Sequence, residues 1–436
     1  MKKIIPVLLS LALGGSTLSA QSPQDSILVS LPRTADVLQA LPALALDLVA
    51  EWEGRIYISA SAADLARIER LRLPLRYDAG ALAPGLAGPA VGGGSPIGAY
   101  HTHLELETDL FALEKAYPQL AKVFTLGTSL ENRPIYALRL SDNPQTDEGE
   151  PGVLFLGCHH AREWISVEVP FLLGKHLLEN YATDPEIKRL VDASDIWIVP
   201  MVNPDGHNYT VQVYRYWRKN RRDNGGGEYG VDLNRNYGYA WGYDNSGSSP
   251  NPASAVYRGS SAFSEPETRA VRNLVLGRDF GAMITYHSFS QVILYPWGFT
   301  KLPTAQDALL RDLGDRLSAR IAAVNGRVYQ SGPAGISLYL TNGTTDDWTF
   351  ALTGMPSYTI ELPPIDQAGG GFFNAEEDIA SIFRENLAAM IHLIGWTIEH
   401  PRPIPESPFD LRSLLRAPRI VPRDPAGQRT ERDRSR

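Results

Sequence analysis

Cysteine is almost absent from this 436-residue chain: Cys158 stands alone, so no internal disulfide can form. It closes an apolar run, where it reads as a buried, inert thiol. Past the N-terminus no stretch approaches the roughly 20 consecutive apolar residues that a membrane helix needs, which argues against a spanning protein. Positive charge is also in short supply. The formal net charge is −8, and residues 21–400 carry −14 once Lys2, Lys3 and the Arg-rich C-terminal stretch are set aside. An acidic body argues against nucleic acid as a partner and favours cationic ligands, although solubility alone would account for it too. No internal repeat is present.

Residues 1–20 open Met1-Lys2-Lys3, run apolar from Ile4 to about Leu13 and close on small residues up to Ala20. That pattern predicts a secretory signal peptide, hence a secreted protein, extracellular or periplasmic. Residues 21–78 alternate β-type runs (26–29 and 54–58) with helical patterns (36–41 and 62–71), a small α+β module. Residues 79–98 are rich in Gly, Ala and Pro, cannot pack a core and read as a cleavable linker. A small module before such a joint suggests a pro-segment, with a plain accessory domain as the alternative. From 401 to 436 the chain turns Pro- and Arg-rich and loses periodicity, so a disordered or trimmed tail is expected.

Between residues 99 and 400, apolar runs at 153–157, 195–201, 282–286 and 358–361 read as buried strands. Amphipathic patterns at 167–181, 267–276, 307–324 and 379–398 read as helices. The alternation predicts an α/β sheet domain. His160-Ala161-Arg162-Glu163 follows the first strand, and Thr285-Tyr286-His287-Ser288 ends the third. A His and a carboxylate three apart, joined by one distant His, can hold Zn²⁺ with a fourth position open for chemistry. The tetrapeptide alone is short enough to occur by chance. Its position at a strand's carboxyl end is where sites in open α/β sheets collect.

With His160, Glu163 and His287 in view, residues 99–400 resemble the zinc metallocarboxypeptidases related to carboxypeptidases A and B. The likeness is carried by Gly157-Cys-His-His-Ala-Arg-Glu-Trp-Ile165, Gly230-Val-Asp-Leu-Asn-Arg-Asn236, Tyr286-His-Ser-Phe-Ser-Gln291 and the segment from Tyr339 to Glu361. It implies a mixed central sheet flanked by helices and one Zn²⁺ on His160, Glu163 and His287. His159 has Arg162 rather than a glutamate three residues on, so it reads as a neighbour of the metal. Asp232 would bond the second nitrogen of a metal-bound histidine, fixing its tautomer. Asn234 and Arg235 would clamp the free carboxylate of a peptide, a task suited to the planar guanidinium fork. Arg218 would stabilise the oxyanion of the tetrahedral intermediate. Its companions Arg215, Lys219, Arg221 and Arg222 read as a solvated basic loop.

Glu361 ends an apolar strand, where a carboxylate is unexpected unless it has a task. The resemblance makes it the general base that later passes the proton to the leaving amine. Arg162, Ser288 and Tyr339 would contact substrate. Asp346 would floor the pocket for the terminal side chain, favouring Lys or Arg ends unless hydroxyls such as Thr341, Thr344 or Thr359 bind it. Phe289 stands where relatives often carry Tyr. Ser288-Phe289 and Pro296-Trp297 fall where the family has cis peptides. The expected partners are C-termini of peptides or proteins, and a monomer is expected. A zinc amidohydrolase of the same fold acting on cell-wall peptides is the alternative, and an inactive peptide-binding homologue a more distant one.

Overall fold

The computed structural model describes residues 27–77 except 45, 53, 54 and 61, then 95 and 97–401 except 366–369. The predicted signal peptide, most of the predicted linker and nearly all of the predicted tail lie outside the described residues. Residues 27–77 form β1 (Ile27–Pro32), α1 (Ala35–Leu44), β2 (Asp47–Trp52), β3 (Arg55–Ala60), α2 (Ala62–Arg70) and β4 (Arg76–Tyr77). The sheet order is β2-β3-β1-β4, all antiparallel. Val29 and Leu31 of β1 and Ile56 and Ile58 of β3 alternate inward, as period-2 strands must, and meet Val37 and Ile68 from the two helices. The sequence reading lacks β2 and β4. A bulge between Leu48 and Ala50 breaks the alternation of β2, and β4 has only two residues.

The larger sheet is built from β5 (Ala121–Thr128), β6 (Pro134–Leu140), β7 (Gly152–Leu156), β8 (Asp195–Val199), β9 (Phe280–Ser288), β10 (Val292–Tyr295), β11 (Gln330–Pro333) and β12 (Ser357–Leu362). Its order is β11-β10-β12-β9-β7-β8-β6-β5. The four central strands β8, β7, β9 and β12 run parallel to one another. β6 beside β8 and β10 beside β12 are antiparallel, which makes the sheet mixed. The helices are α3 (His103–Ala116), α4 (Ile165–Asn180), α5 (Pro185–Asp192), α6 (Pro204–Gln212), α7 (Pro266–Gly277), α8 (Asp307–Asn325), α9 (Ala334–Ser337), α10 (Thr345–Thr353) and α11 (Ile379–Glu399).

Strands covered on both faces carry near-continuous apolar runs, because every side chain meets a helix layer. Val153 and Phe155 of β7, with Ile196 and Ile198 of β8, pack toward α4, α8 and α11. Leu154, Leu156, Trp197 and Val199 point the other way, toward α7 and Trp348 of α10. Because the central strands are parallel, their carboxyl ends share one edge of the sheet. Among the described residues no helix is long and apolar enough to cross a membrane.

Candidate metal centre and active site

Three central strands deliver residues to that edge. β7 ends at Leu156 and the chain turns at once. A Cβ on Gly157 would lie 2.0 Å from Ser166 O, so only glycine lets the turn pack against the start of α4. Cys158, buried and with positive φ, continues the turn, and burial pushes its thiol far up, which leaves it inert. The buried Asn203 amide caps α6 and donates to His159 O and Lys219 O, tying the loops after β7 and β8 to the 217–220 segment.

His160, Glu163 and His287 converge in the space this creates. His160 Nδ1 lies 2.8 Å from Glu163 Oε1, and His287 Nδ1 lies 3.0 Å from both Glu163 Oε2 and His160 Nδ1. All three residues are buried. His160 Nε2 faces Asp232 Oδ1 at 3.2 Å, which fixes the proton on Nε2 and leaves the Nδ1 lone pair aimed inward. Burial, with Arg218 nearby, keeps His287 below its ordinary pKa, although Glu163 opposes the shift. Burial alone would raise Glu163, but His160 and His287 outweigh it and hold it well below the carboxylate range. Two imidazole lone pairs and a carboxylate crowding one point repel one another unless a cation sits between them, and this is a donor set Zn²⁺ takes.

Asp232 is the hub beneath the cluster. Its Oδ2 accepts from Arg218 Nε and Nη2 at 3.0 and 2.9 Å, and its Oδ1 accepts from Asn234 N at 3.0 Å. Burial would raise its pKa, yet Arg218, Arg235 and His160 together hold it well below the usual range. Arg235 is 3 % exposed. Its guanidinium bonds Asn234 O at 2.7 Å and has no carboxylate within ion-pair distance among the described residues. Glu361 follows from β12. Its Oε2 is buried without a hydrogen-bond partner, and burial, then the nearby Glu163 carboxylate, push its pKa well above the ordinary value.

Arg162 stacks on Phe372, its Cζ 4.0 Å from the ring centre, and Phe372 meets Phe289 edge-on at 4.8 Å. Ser288 is buried with its hydroxyl unbonded, and the peptides Ser288-Phe289 and Pro296-Trp297 are cis. Asp346 is 3 % exposed, and its carboxylate makes no hydrogen bond or ion pair with any described residue, so Thr341, Thr344 and Thr359 do not satisfy it. The adjacent Asp347 instead accepts from Gly298 N and Phe299 N. Tyr339 lies apart from this buried group, 54 % exposed between α9 and α10.

The solvated basic loop is a correction. Arg215 is buried, donates to Arg162 O and Phe372 O, and lies 3.5 Å over Trp164. Lys219 donates to Pro252 O and Ser254 O, and Arg222 pairs with Glu265 at 3.0 Å. Arg221 stacks 3.7 Å over Tyr209. Aromatic faces and carbonyls brought in by distant segments desolvate these cations favourably, which local composition cannot show. Sequence reasoning also missed Phe372 and Thr345, whose partners lie far along the chain and leave no local signal.

A family model described as zinc carboxypeptidase matches residues 106–389. The chain is 35 % identical over 311 residues to a zinc carboxypeptidase of Saccharothrix mutabilis subsp. capreolus, covering 70 % of both. It is 36 % identical over 287 residues to carboxypeptidase B of Astacus astacus, covering 64 % of this chain and 91 % of that one. The crystal structure of thrombin activatable fibrinolysis inhibitor superposes with a TM-score of 0.70 at 25 % identity, over 86 % of this chain and 99 % of the other. With the buried His-Glu-His cluster at the sheet edge, these matches show that the chain belongs to the zinc carboxypeptidase family, as a Zn²⁺-dependent peptide hydrolase acting at peptide C-termini.

Proposed function

We propose that this protein is a secreted carboxypeptidase, made with a pro-segment, that removes single residues from peptide C-termini and prefers Lys or Arg there. Arg235 carries the exopeptidase reading. A buried guanidinium without a carboxylate partner is costly, and the free carboxylate of a peptide end supplies the missing anion. Asn234 stands beside it as a second donor.

His160, Glu163 and His287 would hold Zn²⁺, which supplies a Lewis acid that activates water and polarises the scissile carbonyl. Asp232 keeps the His160 proton on Nε2, so the Nδ1 lone pair stays available. Glu361, as carboxylate, takes a proton from the attacking water and returns it to the departing amine. Arg218, oriented by two bonds to Asp232, offers positive charge to the oxygen that becomes anionic. Arg162, Ser288 and Tyr339 line the approach of the rest of the peptide. Asp346, buried and unpaired, awaits a cationic side chain, and the acidic body would draw such peptides in.

The superposition on thrombin activatable fibrinolysis inhibitor spans more of this chain than residues 99–400 make up, so part of the chain ahead of that domain has a counterpart there, which the pro-segment reading requires. On this reading residues 21 to about 95 mask the active-site mouth until the linker is cut; comparing the activity of uncut and linker-cleaved protein tests it, and equal rates would refute masking. The activity itself is tested with N-blocked dipeptides ending in Arg, Lys, Phe, Leu and Glu, before and after chelation. Release of the last residue, abolished by chelator and fastest for Arg and Lys, is expected. Cleavage that survives metal removal would refute the assignment.

A further inference from the structure

His159 has no part in the chemistry above, yet it is fully buried beside the metal cluster and bonded on both ring nitrogens. Its Nε2 lies 2.8 Å from Tyr237 Oη and 3.1 Å from Thr345 Oγ1, and its Nδ1 lies 3.2 Å from Thr285 Oγ1. Its ring is nearly parallel to that of His287, with centroids 5.6 Å apart. Three hydroxyls around one imidazole occupy both nitrogens, so no lone pair is left for the metal. The three come from separate elements: Thr285 from β9, Tyr237 from the segment after Asn234, and Thr345 from the start of α10.

The Thr345 N–H, which can only donate, fixes the Asn234 amide. Asn234 Oδ1 accepts from Thr345 N at 2.9 Å and from Thr345 Oγ1 at 3.0 Å. With its proton given to Asn234, the Thr345 hydroxyl accepts from His159; in that arrangement the imidazole carries its proton on Nε2, shared with Tyr237 Oη, and its Nδ1 accepts from Thr285. With two donors on Oδ1, the Asn234 amide has one orientation, its NH₂ turned toward the site and 3.5 Å from His287 Nε2. An amide turned the other way would present oxygen to an incoming carboxylate and repel it.

We propose that His159 is a positioning residue for substrate recognition: it holds the Thr345 hydroxyl as the second donor to Asn234 Oδ1, beside the Thr345 N–H, and so stiffens the amide that offers N–H groups to the terminal carboxylate. This rests on the reading that Asn234 and Arg235 bind that carboxylate. His159 acts on binding and leaves both the metal and the proton transfers alone. An apolar ring at 159 would fill the space but free the Thr345 hydroxyl to turn away.

The test uses the zinc-loaded protein and N-blocked dipeptides with free or amidated C-termini, with kcat, KM and zinc content measured for His159→Phe, His159→Gln, Thr345→Val and Asn234→Ala. His159→Phe should raise KM for free-acid peptides about tenfold, change kcat less than about threefold, and lower the preference for free acid over amide by a similar factor. Zinc should stay at one per chain. His159→Gln, whose amide can present an N–H near the Nε2 position, should recover most of the loss. Thr345→Val, nearly isosteric, should reproduce the KM effect and serves if the Phe variant does not fold. A loss confined to kcat, a loss of zinc, a Gln variant no better than Phe, or an unchanged KM in Thr345→Val overturns the proposal. If Asn234→Ala leaves the free-acid preference intact, the carboxylate reading itself has failed. If Asn234→Ala abolishes that preference while His159→Phe and Thr345→Val do nothing, only the role of His159 falls.

Discussion

Glu361 and His287 are register partners, facing each other across the parallel strands β12 and β9. Neighbouring strands lie about 4.8 Å apart, so the carboxylate proposed as base and one proposed metal ligand are held at one strand spacing by the backbone ladder. Glu361→Gln preserves that ladder and the side-chain volume while removing the base. It should bind one zinc per chain and lose several orders of magnitude in kcat. Metal analysis beside single-turnover rates checks this, and near-normal turnover would remove Glu361 from the mechanism.

The raised pKa of Glu361 has a consequence for pH dependence. A base works as carboxylate, the form present above its pKa, so activity should be lost as pH falls through that value. Burial and Glu163 raise it, which moves the acid limb of kcat/KM above the ordinary glutamate value of about 4.3. A pH–rate profile is the check, and an acid limb at or below that value would contradict it.

Arg235 should make the enzyme depend on a free C-terminus. Amidating the substrate is expected to cost about 2–5 kcal/mol in kcat/KM, the scale of a lost charge-assisted contact with a buried partner. Arg235→Gln should close most of the gap between free and amidated substrates. Equal cleavage of both by the wild type would end the exopeptidase reading.

Asp346→Ala tests side-chain preference. Removing the buried carboxylate should lower kcat/KM for Arg and Lys ends at least about tenfold, roughly one charged contact, while sparing Phe and Leu ends. A parallel loss on both classes, or a wild type that prefers Phe, would sink the idea.

Stability should depend on an ion pair far from the site. Arg139, 1 % exposed on β6, bonds Asp195 of β8 at 2.6 Å. Asp195→Ala leaves that guanidinium buried without its anion and should cost about 3–5 kcal/mol. Denaturant unfolding measures it, and a change below 1 kcal/mol would show that water replaces the pair.

Features that depend on neighbours along the chain were legible before any fold was known. β7, β8, β9 and β12 were legible because strands covered on both faces must be apolar throughout, and α4, α7, α8 and α11 because a helix with one buried face repeats every 3.6 residues. His160 and Glu163 are three residues apart, and Glu361 shows as a charge inside an apolar strand, so each announces itself without a partner in view. Features that depend on contacts between distant segments were not. Arg215, Lys219, Arg221 and Arg222 read as solvated because nothing near them in the chain shows the carbonyls of residues 252, 254 and 372, the ring of Tyr209 or the carboxylate of Glu265 that cover them. His159 looked like a bystander to the metal until Thr285, Tyr237 and Thr345 closed around it from three separate elements. Whether a polar side chain is solvated, paired or positioning depends on which groups reach it through space, and only the folding of distant segments onto one another supplies them.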